Sequence, residues 1–248
     1  YFSRLPLWTE GEDEDHIRKL ASYITAENQA FFEVQLKKML VRSIRCSIDH
    51  IPNRSVFVFV GGQEMGKSWF IRFLNPFGNL YYSESPLRAD KDTMIRLSES
   101  FIINLEELAS MSNWDINGLK ALISISMVKE RPPYASEEIP LPRRCNFFGS
   151  TNKPEFLTDT ENTRWICIYV NDIKHGYITE VDINKVWGQA YALYMSGYDC
   201  ELTKEERKER EEINRQYEVS YPERDAVAKY LQPCNPNNGN GEFMSVSD

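Results

Sequence analysis

Residues 61–68 read Gly61-Gly62-Gln63-Glu64-Met65-Gly66-Lys67-Ser68, filling every fixed position of the pattern G-x-x-x-x-G-K-[ST]. The chemistry implied is the cradling of a phosphate chain. Glycine at 61 and 66 lets the backbone turn so that successive amide N–H groups point inward at phosphate oxygens. The Lys67 ammonium then reaches the terminal phosphates, and the Ser68 hydroxyl is placed to ligate magnesium. Trp69 leads into Phe70-Ile71-Arg72-Phe73-Leu74, which reads as a helix whose positive dipole end adds to the anion site. The expected ligands are ATP and Mg2+, held along 61–69.

A phosphate loop binds; hydrolysis also needs carboxylates delivered to the metal and to a water. About forty positions on, Phe101-Ile102-Ile103-Asn104-Leu105 reads as a buried strand ending in Glu106-Glu107. Glu106 is assigned to the metal's water shell and Glu107 to the proton of the attacking water. Neighbouring side chains on a strand point to opposite sides, so both can act only where the chain bends as it leaves the sheet. Cys145-Asn146-Phe147-Phe148-Gly149-Ser150 is a further strand ending in Thr151-Asn152. At a carboxyl edge, Asn152 could orient the lytic water. Twelve positions later, Arg164 heads another strand, where its guanidinium could stabilise the transferring phosphoryl group from the same chain or from a neighbour.

These groups require a frame that brings strand ends together. The apolar runs at 55–60, 101–103, 145–150 and 165–170, alternating with helical stretches, predict an α/β fold with a parallel sheet covered by helices on both faces. Ahead of it, 1–52 reads as a helical module. Asp13-Glu14-Asp15 opens one helix, and Phe31, Phe32, Leu36, Leu40 and Ile44 line the next, with Lys37, Lys38, Arg42 and Arg45 expected outside. The core spans 53–200, with Asp182 as the N-cap of a helix ending at Gly197. Thr203-x-x-Glu206 is a capping box opening a highly charged helical arm within 201–232, expected to be solvated. Residues 233–248 read as a linker and the start of a truncated element.

The formal net charge is −8, so any polynucleotide contact must come from a local patch. Five cysteines, far apart and without C-x-x-C spacing, suggest neither a disulfide framework nor a zinc site, which fits a reducing, cytoplasmic setting. No apolar run approaches a membrane span, and no membrane partner is expected. The chain opens at Tyr1-Phe2-Ser3-Arg4, without methionine or signal peptide, and reads as a segment of a longer protein.

The order of motifs is informative as a set. The loop 61–68, Asn104-Leu105-Glu106-Glu107-Leu108, Glu130-Arg131-Pro132-Pro133-Tyr134, Pro142-Arg143-Arg144, Gly149-Ser150-Thr151-Asn152 and Leu157-Thr158-Asp159-x-x-x-x-Thr163-Arg164-Trp165 resemble the virulence-associated protein E (VapE/VirE) family. Members are P-loop ATPases similar to superfamily 3 helicases, carried by prophages and mobile elements. The resemblance implies an AAA+-like homo-oligomer, a hexamer, with sites at subunit boundaries. It matches Lys67 and Ser68, Glu106 and Glu107, and Asn152 to the two Walker motifs and sensor 1, and Arg164 to an arginine finger, with Arg143 or Arg144 as the alternative trans-acting arginine. It also implies a hairpin over 128–144 that enters a central pore. Lys129 and Arg131 would then track the phosphates of single-stranded or forked nucleic acid, most simply DNA, and Tyr134 would stack on bases.

Three positions depart from the family pattern: Glu64 where glycine commonly follows Gln, Trp69 where threonine follows Lys-Ser, and Glu161 near the finger. Glu64 sets a negative charge beside the phosphate site and is expected to weaken nucleotide affinity. The expected function is Mg-dependent ATP hydrolysis driving translocation or remodelling of nucleic acid. The alternative is a nucleotide-binding switch with negligible turnover.

Overall fold

Val56-Phe57-Val58-Phe59-Val60 offers one apolar face of valines and another of aromatics, and strand β2 (Val56–Val60) is buried on both. The computed structural model describes residues 1–84, 90–108, 113–130, 139–157 and 162–219. Phe57 and Phe59 pack on one side with Phe32, Phe70 and Phe148, ring centroids lying 5.3–6.3 Å apart. Val56, Val58 and Val60 join Ile103, Leu105, Phe147 and Trp165 on the other. The period-two alternation of a strand thus feeds two separate cores. Truncating Phe57 to Ala is expected to lower the unfolding free energy by about 3–5 kcal/mol, read from the urea midpoint; a loss under about 1 kcal/mol would contradict its place in the packing.

The first core is closed by helices α1 (His16–Ala21), α2 (Gln29–Ile48), α3 (Lys67–Phe73) and α7 (Ile183–Met195). The second is closed by α4 (Lys91–Glu99) and α5 (Asn113–Ser124), and by Tyr217 just beyond α8 (Lys204–Arg215). Between the layers lies a six-stranded sheet in the order β1-β8-β2-β7-β4-β3. Its centre is β8 (Trp165–Ile173), β2, β7 (Asn146–Thr151) and β4 (Ile102–Leu105), all parallel. These are the four runs that read as strands in the sequence. The edges are β1 (Ile24–Ala26), antiparallel to β8, and β3 (Tyr82–Ser83), parallel to β4. At three and two residues, they are too short to carry a pattern. A separate antiparallel pair, β5 (Met127–Glu130) with β6 (Ile139–Pro142), is inserted between α5 and β7, and a short α6 (Tyr177–Glu180) follows β8.

Residues Tyr1–Glu218 form one unit. Asp182 caps α7 by accepting from the Asn184 amide at 2.9 Å, and the Thr203/Glu206 capping box is formed in both directions. Two expectations are corrected here. Lys38 and Arg42 do not lie outside α2, and α8 is not a solvated arm, because each covers the other. The Lys38 ammonium donates to the Glu201 carbonyl at 2.7 Å and to Glu206 Oε2 at 2.8 Å, and Arg45 pairs with Glu201. Arg42 is 3 % exposed, and burial pulls its guanidinium down to about 10. On α8 itself, Asn214 donates to the carbonyls of Asn162 and Trp165, and Arg210 to that of Thr163. A basic side chain with a long apolar stem can face inward when an acidic partner arrives from elsewhere in the chain. Among the described residues, no helix is long and apolar enough to cross a membrane. Cys46, Cys145, Cys167 and Cys200 are free and buried.

Candidate nucleotide site

Because β2, β4 and β7 run parallel, their carboxyl ends open on one edge of the sheet, where the loop 61–66, Glu106 and Asn152 emerge. There they enclose a cleft of about 280 Å³ lined by Glu64–Trp69, Glu106, Glu107 and Ser150–Asn152. The loop leaves β2 at Gly61, whose amide donates to the Thr151 carbonyl at 3.2 Å. A Cβ at Gly61 would meet the Val170 carbonyl oxygen at 2.6 Å, so no side chain fits. Gly66, at φ +87°, caps α3 without a side-chain hydrogen bond, and a Cβ there would lie 2.7 Å from His175. His175 therefore backs the loop from behind the cleft, a contact with no signal in the local sequence.

Lys67 is 6 % exposed. Its ammonium donates to the carbonyls of Gly61, at 2.9 Å, and Gly62, and to Asn152 Oδ1 at 2.9 Å. Burial holds its pKa below the ordinary lysine value. The ammonium's three donors are all engaged within the protein, and a phosphate oxygen entering the cleft would have to replace these acceptors. Asn152 is thus tied to the loop across 85 residues of sequence. Ser150 is a site residue that the sequence reading passed over. Its hydroxyl lies 3.4 Å from Ser68 Oγ, and the strand alternation that places Asn152 at the cleft places Ser150 on the same side.

The bend that paired carboxylates require is present. Glu107 adopts φ +51° directly beyond β4, uncommon for a residue with a side chain, and both Glu106 and Glu107 line the cleft. Asn104 Nδ2 donates to Glu106 Oε1 at 3.4 Å. Among the described residues, no group of three or more His, Cys, Asp or Glu is placed to hold a metal by itself. Ser68 and Glu106 line the same cleft, and their oxygens are of the type that would hold magnesium shared with nucleotide phosphates.

Arg164 is not brought to this cleft. It heads β8 at the opposite edge, where its carbonyl accepts from the Val56 amide and its guanidinium donates to Ser124 Oγ at 3.4 Å. Five residues of parallel strand put roughly 16 Å between that end and the phosphate loop. Arg143 is fully buried, donating to the carbonyls of Asn53, Ile125 and Cys145. Lys129 is exposed on β5. Arg131, Tyr134 and Glu161 lie outside the described residues.

The family model for the virulence-associated protein E-like domain matches residues 7–219. The chain belongs to this family. The VapE-like chain also shares its fold with solved structures. The apo structure of the NrS-1 C-terminal region (305–718) matches with a TM-score of 0.57 at 16% identity, covering 94% of this chain and 54% of that one. The A-form apo structure of the same region matches with a TM-score of 0.50 at 17% identity and the same coverage. The VapE-like chain thus spans about half the length of these structures. No curated protein matches it.

Proposed function

We propose that the VapE-like chain is a magnesium-dependent ATPase module, helicase-like in its use of turnover to move or remodel single-stranded or forked nucleic acid. The observation that carries this reading is the convergence of the phosphate loop, two carboxylates and Asn152 on one cleft at the carboxyl edge of the sheet. Lys67 turns from the loop carbonyls to the terminal phosphates. Ser68 and Glu106 would hold magnesium, whose charge would offset that on the phosphate oxygens. Glu107 accepts the proton of the attacking water, and Asn152, once Lys67 has turned, orients that water. Arg164 cannot reach its own cleft, so it serves the cleft of a second copy, within a homo-oligomer such as a hexamer.

The test is steady-state phosphate release at rising protein concentration, with and without single-stranded DNA. Specific activity should climb with concentration and fall when Arg164→Ala protein is in excess. Activity that is flat with concentration would rule out a shared site.

The switch reading draws on Glu64, which sits at φ +62° on the cleft wall. A carboxylate there repels a triphosphate, and its left-handed backbone is one a glycine adopts freely. Glu64→Gln is expected to tighten ATP binding about threefold to tenfold in calorimetric titration at low salt, consistent with one partly screened like-charge contact. Unchanged affinity would mean that Glu64 is turned to solvent when nucleotide is present.

A further inference from the structure

The edge of the sheet opposite the phosphate loop holds a larger groove, of about 830 Å³, within the usual range for ligand pockets of roughly 300–1,000 Å³. It lies beside the outer strand of the inserted pair, where β6 runs into β7. Aromatic rings form its floor: Phe77 meets Tyr81 and Phe101 edge-on at 5.3 and 5.4 Å. Arg96 and Arg144 stand on its walls, with Glu99 as the acidic residue of its lining. Arg96 donates through Nε to the Asp92 carbonyl at 3.3 Å. Among the described residues, neither guanidinium has a carboxylate within ion-pair reach. The groove thus sets two cations and one carboxylate beside its aromatic rings, although the chain's net charge is −8.

The groove is held in shape by its backbone. Buried Arg143 pins the base of the inserted pair to the core, and the Arg144 amide donates to the Leu97 carbonyl at 3.1 Å. Tyr81 adopts φ +59° and is 55% exposed, while its carbonyl accepts from the amides of Phe101 and Ile102. A bulky residue in that backbone region is strained, and the two hydrogen bonds to its carbonyl hold it there with the side chain at the groove.

We propose that this groove takes a short stretch of single-stranded nucleic acid, with a base stacked on Tyr81 and phosphates paired with Arg96 and Arg144. Stacking platforms beside a basic wall are the recurring chemistry of such binding. The proposal rests on the motor reading above and places its nucleic acid on the side of the sheet away from ATP.

The test is fluorescence anisotropy of a labelled oligo(dT) with the full chain, across a salt series. Tyr81→Ala should weaken binding about tenfold, the loss of one stacked base. Arg144→Ala should weaken it and reduce the slope of log affinity against log salt by about 0.7, the share of one phosphate contact. Lys185→Ala, which removes an exposed charge on α7, should change neither, and all three variants should melt with wild type. The proposal is overturned by no oligo(dT) binding at low salt, by equal losses in the Lys185 variant, or by thymidine monophosphate competing as well per phosphate as the oligonucleotide. DNA-free ATP hydrolysis is measured on the same samples. Absent hydrolysis with groove-dependent binding would undo the motor reading alone; hydrolysis without strand binding would undo the groove alone.

Discussion

Lys67→Ala is expected to lower kcat/KM for ATP by about 10²- to 10³-fold, the usual loss when one preorganised charge aimed at a transition state is removed. Lys67 is almost fully buried at the cleft and its ammonium is held at rest by three protein oxygens, which it must exchange for phosphate oxygens when nucleotide binds. The same anchoring makes the substitution structural as well. The Gly61 and Gly62 carbonyls and Asn152 Oδ1 lose a shared donor, and the apo protein should unfold about 1–3 kcal/mol more easily. Phosphate release together with a thermal melt separates the two effects. Wild-type turnover by a folded Lys67→Ala protein would remove the phosphate loop from the chemistry.

Glu107→Gln is expected to leave nucleotide binding intact while cutting turnover by about 10²- to 10⁴-fold, the range attributed to a positioned general base. Gln keeps the size of the side chain, so the bend at φ +51° is retained and the effect isolates the carboxylate. Glu106→Gln should differ in kind, raising the magnesium concentration needed for half-maximal rate more than it lowers the maximum. Titrating magnesium for both variants decides the assignment. If the two patterns appear with the residues exchanged, the roles of Glu106 and Glu107 are reversed; if neither variant slows turnover, water is activated elsewhere.

Much of the frame was legible in the sequence. Four central strands appear as mainly apolar runs because both of their faces are buried, with polar residues such as Asn104, Asn146 and Ser150 at a few buried positions. The phosphate loop is legible for a different reason: its chemistry is contiguous, with spacing dictated by one turn around one phosphate chain. The capping residues Asp182 and Thr203 are equally local, each satisfying an amide within three positions.

What escaped the sequence involves partners far apart along it. The burial of Lys38 depends on Glu201 and Glu206, more than 160 residues away, and the edge strands β1 and β3 have no pattern of their own. The bend at Glu107, the seating of Ser150 beside Ser68, and the separation of Arg164 from its own cleft are likewise set by strand pairing rather than by neighbouring residues. Side-chain periodicity reports only which residues share a face of one element. Sequence alone therefore determined the glycine loop pattern and the central sheet, whereas tertiary structure decided which charges are buried, which acids line the cleft, and which arginine lies away from it.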